Sequence, residues 1–108
     1  LDEDPYLSTA YFADNDIIAM SCIRALREHG VRVPEDISVI GFDDISTAAM
    51  ADPPLTTMAV PKTNMGGLAV KRLVDLVRGD TGGEVVRISI TPEIIQRKSV
   101  VPLKTEEN

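Results

Sequence analysis

Val33-Pro34-Glu35-Asp36-Ile37-Ser38-Val39-Ile40-Gly41-Phe42-Asp43-Asp44 is the stretch that decides the fold. A proline and two acids make a turn, and Ile37 to Phe42 then run almost without polar interruption, rich in β-branched and aromatic side chains. Such a run suits a central strand of a parallel sheet, covered on both faces. It stops at Asp43-Asp44. Upstream, Ile17 to Glu28 places Ala19, Cys22, Ile23 and Leu26 at helical spacing, with Asp14-Asn15-Asp16 as cap candidates before it and Gly30 to end it. Further upstream, Thr9-Ala10-Tyr11-Phe12-Ala13 is a short apolar strand that ends on that polar triplet.

Downstream the same alternation repeats. Ile45 to Ala51 suits a short helix stopped by Pro53-Pro54, and Thr56 to Val60 is a third strand. Thr63 can cap a long helix with Leu68, Ala69, Leu73, Leu76 and Val77 on one side and Gly79 at its end. Val85 to Ile90 alternates as a strand, and Ile94 to Val100 is extended. Three strand-then-helix units in succession imply parallel strands joined by right-handed crossovers. The predicted class is α/β, a parallel sheet with flanking helices: a lobe over 9–100 between tails at 1–8 and 101–108.

At 108 residues the chain has room for one ordinary domain. Its 44% hydrophobic and 26% charged content excludes a disordered chain, and no apolar run is long enough to span a bilayer. The one cysteine, Cys22, allows neither an internal disulfide nor a cysteine metal cage, which makes the cytoplasm the expected compartment. A start at Leu1 points to a segment of a longer chain. Net charge is −6, but Asp2, Glu3, Asp4, Glu106 and Glu107 lie at the two ends, so the body is nearly neutral. Duplex DNA is gripped through clustered lysines and arginines. No nucleic-acid binding is expected from these residues alone.

In an open parallel sheet, ligands bind beyond the carboxyl ends of the strands. Asp14, Asn15, Asp16, Asp43 and Asp44 fall there. Carboxylates accept hydrogen bonds and the amide both donates and accepts, so the set suits a ligand rich in hydroxyl or amino groups. Each member of the triplet also suits a helix cap, and the aspartate pair also suits a turn. Paired acids can hold magnesium for phosphoryl transfer, but no glycine-rich phosphate loop accompanies them. His29 sits at a helix C-terminus, where it complements the dipole, and Cys22 is a small core side chain. No nucleophile, base and orienter assemble, so no enzyme, cofactor or metal site is expected. Ile17 and Met20 widen the helix beyond one buried stripe. With Met50 they are candidates for a self-association surface.

The order of these motifs resembles the C-terminal part of the effector-binding domain of LacI/GalR family transcriptional regulators. The resemblance spans residues 9–100. It is carried by Tyr11-Phe12-Ala13-Asp14-Asn15-Asp16, by the Val33-to-Asp44 run, by Pro53-Pro54-Leu55-Thr56-Thr57, and by Pro92-Glu93 through Arg97-Lys98-Ser99. It implies a two-lobed, periplasmic-binding-protein-like type I fold with a sugar, nucleobase or related effector between the lobes. It also implies operator DNA binding by an N-terminal helix-turn-helix outside these residues. The family's effector contacts, carried to matching positions, fall on Asn15 and Asp43, with Asp14 beside them. A third contact, often Gln, corresponds to Val60, a departure from the sugar-binding pattern. The family's dimer surface matches the helix from Ile17 and the segment after Asp44, giving Ile17, Met20 and Met50 an apolar partner in a homodimer. The C-lobe of an ABC transporter's sugar-binding protein shares the fold, but Val33-to-Ser38 and Pro53-to-Thr57 favour the regulator. A magnesium-dependent phosphoryl-transfer enzyme is the remaining alternative.

Overall fold

The computed structural model describes residues 8–80 and 82–103. They divide into two compact units: residues up to Ala59 together with those from Glu93 onward, and Val60–Pro92. The expected tails lie mostly outside the described residues. Val101 is tied in, its N–H donating to Ser38 Oγ at 3.1 Å.

The first unit holds a four-stranded sheet in the order β1 (Ala10–Phe12), β2 (Ser38–Asp43), β3 (Thr56–Ala59) and β4 (Glu93–Ile95). β1, β2 and β3 are parallel, as the alternating pattern predicts. β4 runs antiparallel to β3, with Met58 opposite Ile94, which makes the sheet mixed. The crossover rule applies only to strand-helix-strand links within one sheet. Here the chain leaves β3, forms the second unit, and returns in the opposite sense.

Helix α1 (Asp16–Glu28) covers one face of the sheet. Its buried stripe is Ala19, Ile23 and Leu26, spaced four and three residues apart, and it meets Val39, Leu55, Ala48 and Val33 in the core. Cys22 is half-buried against that cluster, and burial pushes its thiol pKa up, as befits a packing residue. Gly30 ends the helix at φ 78°, and its N–H donates to Arg27 O at 3.0 Å. On the other face of the sheet Phe12 and Ile94 remain 62% and 59% exposed, with Ile40, Phe42 and Met58 only half-covered.

The turn before β2 explains the acid of the Val33-to-Ser38 motif. Asp36 accepts from Arg32 three times: from the backbone N–H at 2.8 Å, from Nε at 3.1 Å and from Nη2 at 2.9 Å. In return the N–H groups of Asp36 and Ile37 donate to Arg32 O. The Arg32 side-chain bond, then its backbone bond, holds the Asp36 carboxyl below its ordinary value.

Segment 97–101 closes the amino-terminal end of the sheet. Ser99, fully buried, donates from Oγ to Val39 O at 2.5 Å and accepts from Thr56 N–H at 2.9 Å, and its own C=O accepts from Val39 N–H at 2.9 Å. One serine thus bridges β2 and β3 before their own pairing begins at Ile40 and Thr56. Arg97 Nη1 donates to Leu55 O at 3.0 Å and meets Asp44 Oδ1 at 2.9 Å.

The second unit contains α2 (Lys62–Arg78). The helix begins one residue before Thr63, follows Pro61, and has no side-chain cap. It ends as expected at Gly79, with φ 75°. The stretch 85–90 is not paired as a strand among the described residues, since alternation supplies faces but no partner edge. Met65, Leu68, Leu73 and Leu76 of α2, with Val86, Ile88 and Ile90, line an open apolar groove of about 490 Å³. No residue of α2 is buried.

Candidate functional site

The carboxyl ends of β1 and β2 lie side by side. Phe12 pairs with Ile40, and Ala13 N–H extends the ladder to Ile40 O at 2.9 Å, so Asp14 and Asn15 emerge next to the end of β2, where Asp43 and Asp44 follow. Asn15 and Asp43 thus come together at one edge, as the strand-end rule predicts.

The side chains at this edge divide by role. Asn15 caps α1: its backbone is extended, with φ −155°, and its Oδ1 accepts from Ile18 N–H at 2.9 Å. This uses one function of the amide. Its Nδ2 makes no hydrogen bond among the described residues, so capping leaves a donor for another partner. Asp14 is exposed. Asp43 is half-buried with φ 115°, and Asp44 has φ 55°; both lie in the left-handed region that non-glycine residues seldom occupy. The Asp44 carboxylate turns back to Arg97.

Asp16 is the member of the triplet that local reading leaves undecided between cap and ligand. It is completely buried. Oδ2 accepts from Ile45 N–H at 2.8 Å and Oδ1 accepts from the Thr57 hydroxyl at 2.5 Å. Asp44 N–H donates to the same Thr57 Oγ1 at 3.3 Å. The partners of Asp16 lie 29 and 41 residues away. The one sequence signal for this arrangement is Gly41, because a Cβ there would run into Asp16 Oδ1. Thr57, Arg97 and Ser99 carry no individual signal in the sequence. They stand only within the family-like motifs.

With Asp16 turned inward and Asp44 held by Arg97, the acids do not converge. Among the described residues no group of three or more His, Cys, Asp or Glu is placed to hold a metal ion. The edge carries the carboxylates of Asp14, Asp43 and Asp44 beside the Asn15 amide, and Arg97 Nη1 is shared between Asp44 Oδ1 and Leu55 O.

The self-association candidates differ in exposure. Ile17 is 65% exposed and Met50 76%, whereas Met20 is half-buried against the core. Met20 also lines a concavity of about 400 Å³ beside α1 with Ile23, Arg24, Arg27, Glu28 and Asp52.

Residues 2–100 match the family model of the periplasmic binding protein-like domain. The chain is 47% identical over 96 residues to the HTH-type transcriptional repressor PurR of Haemophilus influenzae (strain PittEE), covering 87% of this chain and 29% of that protein. The PurR of Photobacterium profundum is 45% identical over 95 residues, covering 88% of this chain and 28% of that protein. Among solved structures, the Lac repressor dimer bound to operator and the anti-inducer ONPF superposes with a TM-score of 0.82 at 32% identity, over 89% of this chain and 33% of that one. The transcriptional regulator CelR in complex with cellobiose gives 0.80 at 38% identity, over 84% and 28%. A LacI family regulator from Enterococcus faecium with bound ribose gives 0.81 at 34%, over 93% and 37%. The chain spans about 29% of the length of the curated relatives it matches. Those relatives are transcriptional repressors, in keeping with the expectation that the chain is not an enzyme. On its matching model, its repressor relatives and its superposition on LacI-type regulators, the chain belongs to the periplasmic binding protein-like domain family, in the form that LacI/GalR regulators carry as their effector-binding domain.

Proposed function

We propose that this chain forms part of the effector-binding domain of a cytoplasmic LacI/GalR-type repressor, and that its strand-end edge is one wall of the effector site. The observation that carries this is the side-by-side placement of Asn15 and Asp43 at the ends of two adjacent parallel strands. Asp43 accepts hydrogen bonds from the effector, and Asn15 donates from the amide nitrogen that capping leaves unused. Asp14, exposed beside them, adds a further acceptor. The effector is a small polar molecule of the sugar-like class, with a nucleobase as the competing chemistry. Cellobiose and ribose in two of the similar structures support the first. Val60, standing where a glutamine often accompanies sugar contacts, leaves the second to be tested alongside it.

Operator binding belongs to a helix-turn-helix outside these residues, in line with the HTH-type name of the repressor relatives. The nearly neutral body gives these residues no grip on DNA of their own. Self-association uses the surface of Ile17 and Met50, whose exposure suits burial against a second copy.

Thermal-shift screening of the full-length protein against ribose, cellobiose, adenine and hypoxanthine tests the effector reading. A compound at 100 times its Kd stabilises the native state by about 2.7 kcal/mol. A rise in melting temperature with ribose or cellobiose is expected; a rise with adenine or hypoxanthine alone moves the assignment to the nucleobase, and no rise with any of the four at millimolar concentration contradicts both.

A further inference from the structure

We infer that Asp16 is a positioning residue: buried at the start of α1 and bonded to Thr57 of β3, it sets the turn that presents Asp43 to the effector. The inference rests on the reading that Asp43 contacts effector, and it assigns to Asp16 a task beyond satisfying its own burial.

A carboxylate with no exposed surface persists only when its oxygens are hydrogen-bonded. Both oxygens of Asp16 are engaged, and both partners lead to the end of β2. Oδ2 takes the N–H of Ile45, two residues past Asp43. Oδ1 takes the hydroxyl of Thr57, which in turn takes the N–H of Asp44, one residue past Asp43. The two backbone donors that follow Asp43 are therefore held, directly or through one hydroxyl, by a single side chain.

The turn needs such a restraint. Asp43 and Asp44 have φ of 115° and 55°, and consecutive non-glycine residues keep such values only where their surroundings impose them. The Arg97–Asp44 ion pair restrains the side chain of the second residue, and the Asp16–Thr57 pair restrains the backbone. Asp16 also follows Asn15 directly and belongs to the first turn of α1, so the group that fixes the Asp43 turn is one residue from the other proposed contact. The absent side chain of Gly41 is what lets the carboxylate lie over β2 to do this.

The test uses the full-length protein with Asp16→Asn, Thr57→Val and Thr57→Ser. Thr57→Val keeps the shape and removes the hydroxyl, Thr57→Ser keeps the hydroxyl as its control, and Thr57→Val stands in if Asp16→Asn does not fold. The first readout is hydrogen–deuterium exchange of peptides spanning 43–47, without ligand. Exchange at Asp44 and Ile45 is expected to rise about tenfold in Thr57→Val and to stay at wild-type rates in Thr57→Ser. The second is affinity for whichever of ribose, cellobiose, adenine and hypoxanthine raises the melting temperature. A loss of about tenfold is expected in Asp16→Asn and Thr57→Val, recovery in Thr57→Ser, and no further loss when Asp43 is already alanine. Unchanged exchange in a folded Thr57→Val protein overturns the inference and leaves the site reading standing. The same loss in the Asp43→Ala background also overturns it, because Asp16 then acts on folding and not through Asp43. Wild-type affinity in Asp43→Ala overturns the site reading itself, and if none of the four compounds binds, the exchange readout alone decides the inference.

Discussion

Replacing Gly41 by alanine adds one methyl group at a crowded point of β2. The new Cβ would meet Asp16 Oδ1, Leu55 Cδ2 at 3.0 Å and Ala19 Cβ at 3.3 Å. Comfortable carbon–carbon contact begins at about 3.5 Å, so the leucine must give by about half an ångström. Overpacking of this kind costs about 1–3 kcal/mol. Asp16 cannot retreat without loosening its bonds to Ile45 N–H and Thr57, and a hydrogen bond to a charged group adds about 1.5–3 kcal/mol. The two costs together come to about 2.5–6 kcal/mol. For a folded unit of this size each kcal/mol lowers the melting temperature by about 4–8 °C. Gly66→Ala in α2 is the internal control: an added Cβ there meets nothing within 4 Å, and removing a helix-interior glycine gains about 0.5–1 kcal/mol. Urea unfolding followed by circular dichroism measures both. A Gly41→Ala protein within about 1 kcal/mol of wild type would show that Asp16 does not occupy the space over β2.

Other outcomes follow from the same contacts. Ser99→Ala strands the Val39 carbonyl and the Thr56 N–H in the interior, and a stability loss of about 3 kcal/mol in urea titration is expected; a loss under about 1 would mean that the segment is not wedged between β2 and β3. Asp36, whose carboxyl pKa is depressed first by the Arg32 side-chain bond, stabilises the fold above the ordinary aspartate range, and this contribution is lost as pH falls through its lowered value. Asp36→Asn should therefore flatten the acid limb of the stability curve, and an unaltered limb would count against the Arg32–Asp36 clasp. Met50→Glu, at a position 76% exposed, should leave monomer stability unchanged and weaken self-association in sedimentation, where an undiminished dimer would exclude this surface. Met20 is a poorer probe because it packs against the core.

The sheet and its first helix are legible because their signals are local. Ala19, Ile23 and Leu26 repeat at helical spacing, Asn15 caps and Gly30 terminates, and the uninterrupted run before Asp43 is central to the sheet. The direction of β4 is not local. It depends on how the chain returns after a second unit of more than thirty residues, and nothing in Glu93–Ile95 encodes that sense. The stretch 85–90 has strand-like alternation and no partner among the described residues, so a face pattern predicts what a segment can bury and not what it pairs with. Asn15 and Asp43 are reachable at the candidate edge because strand ends collect ligand groups. Asp16 is not distinguishable from its neighbours in the sequence, since its burial is created by Thr57 and Ile45, far away in the chain.

Titration calorimetry of wild-type and Asp43→Ala full-length protein tests the central claim most directly, using the compound among ribose, cellobiose, adenine and hypoxanthine that stabilises the wild type. Loss of one charge-assisted hydrogen bond is worth about 1.5–3 kcal/mol, so the variant should remain folded and bind about 10–150 times more weakly. A folded Asp43→Ala protein with wild-type affinity would contradict the assignment of this strand-end edge as the effector wall.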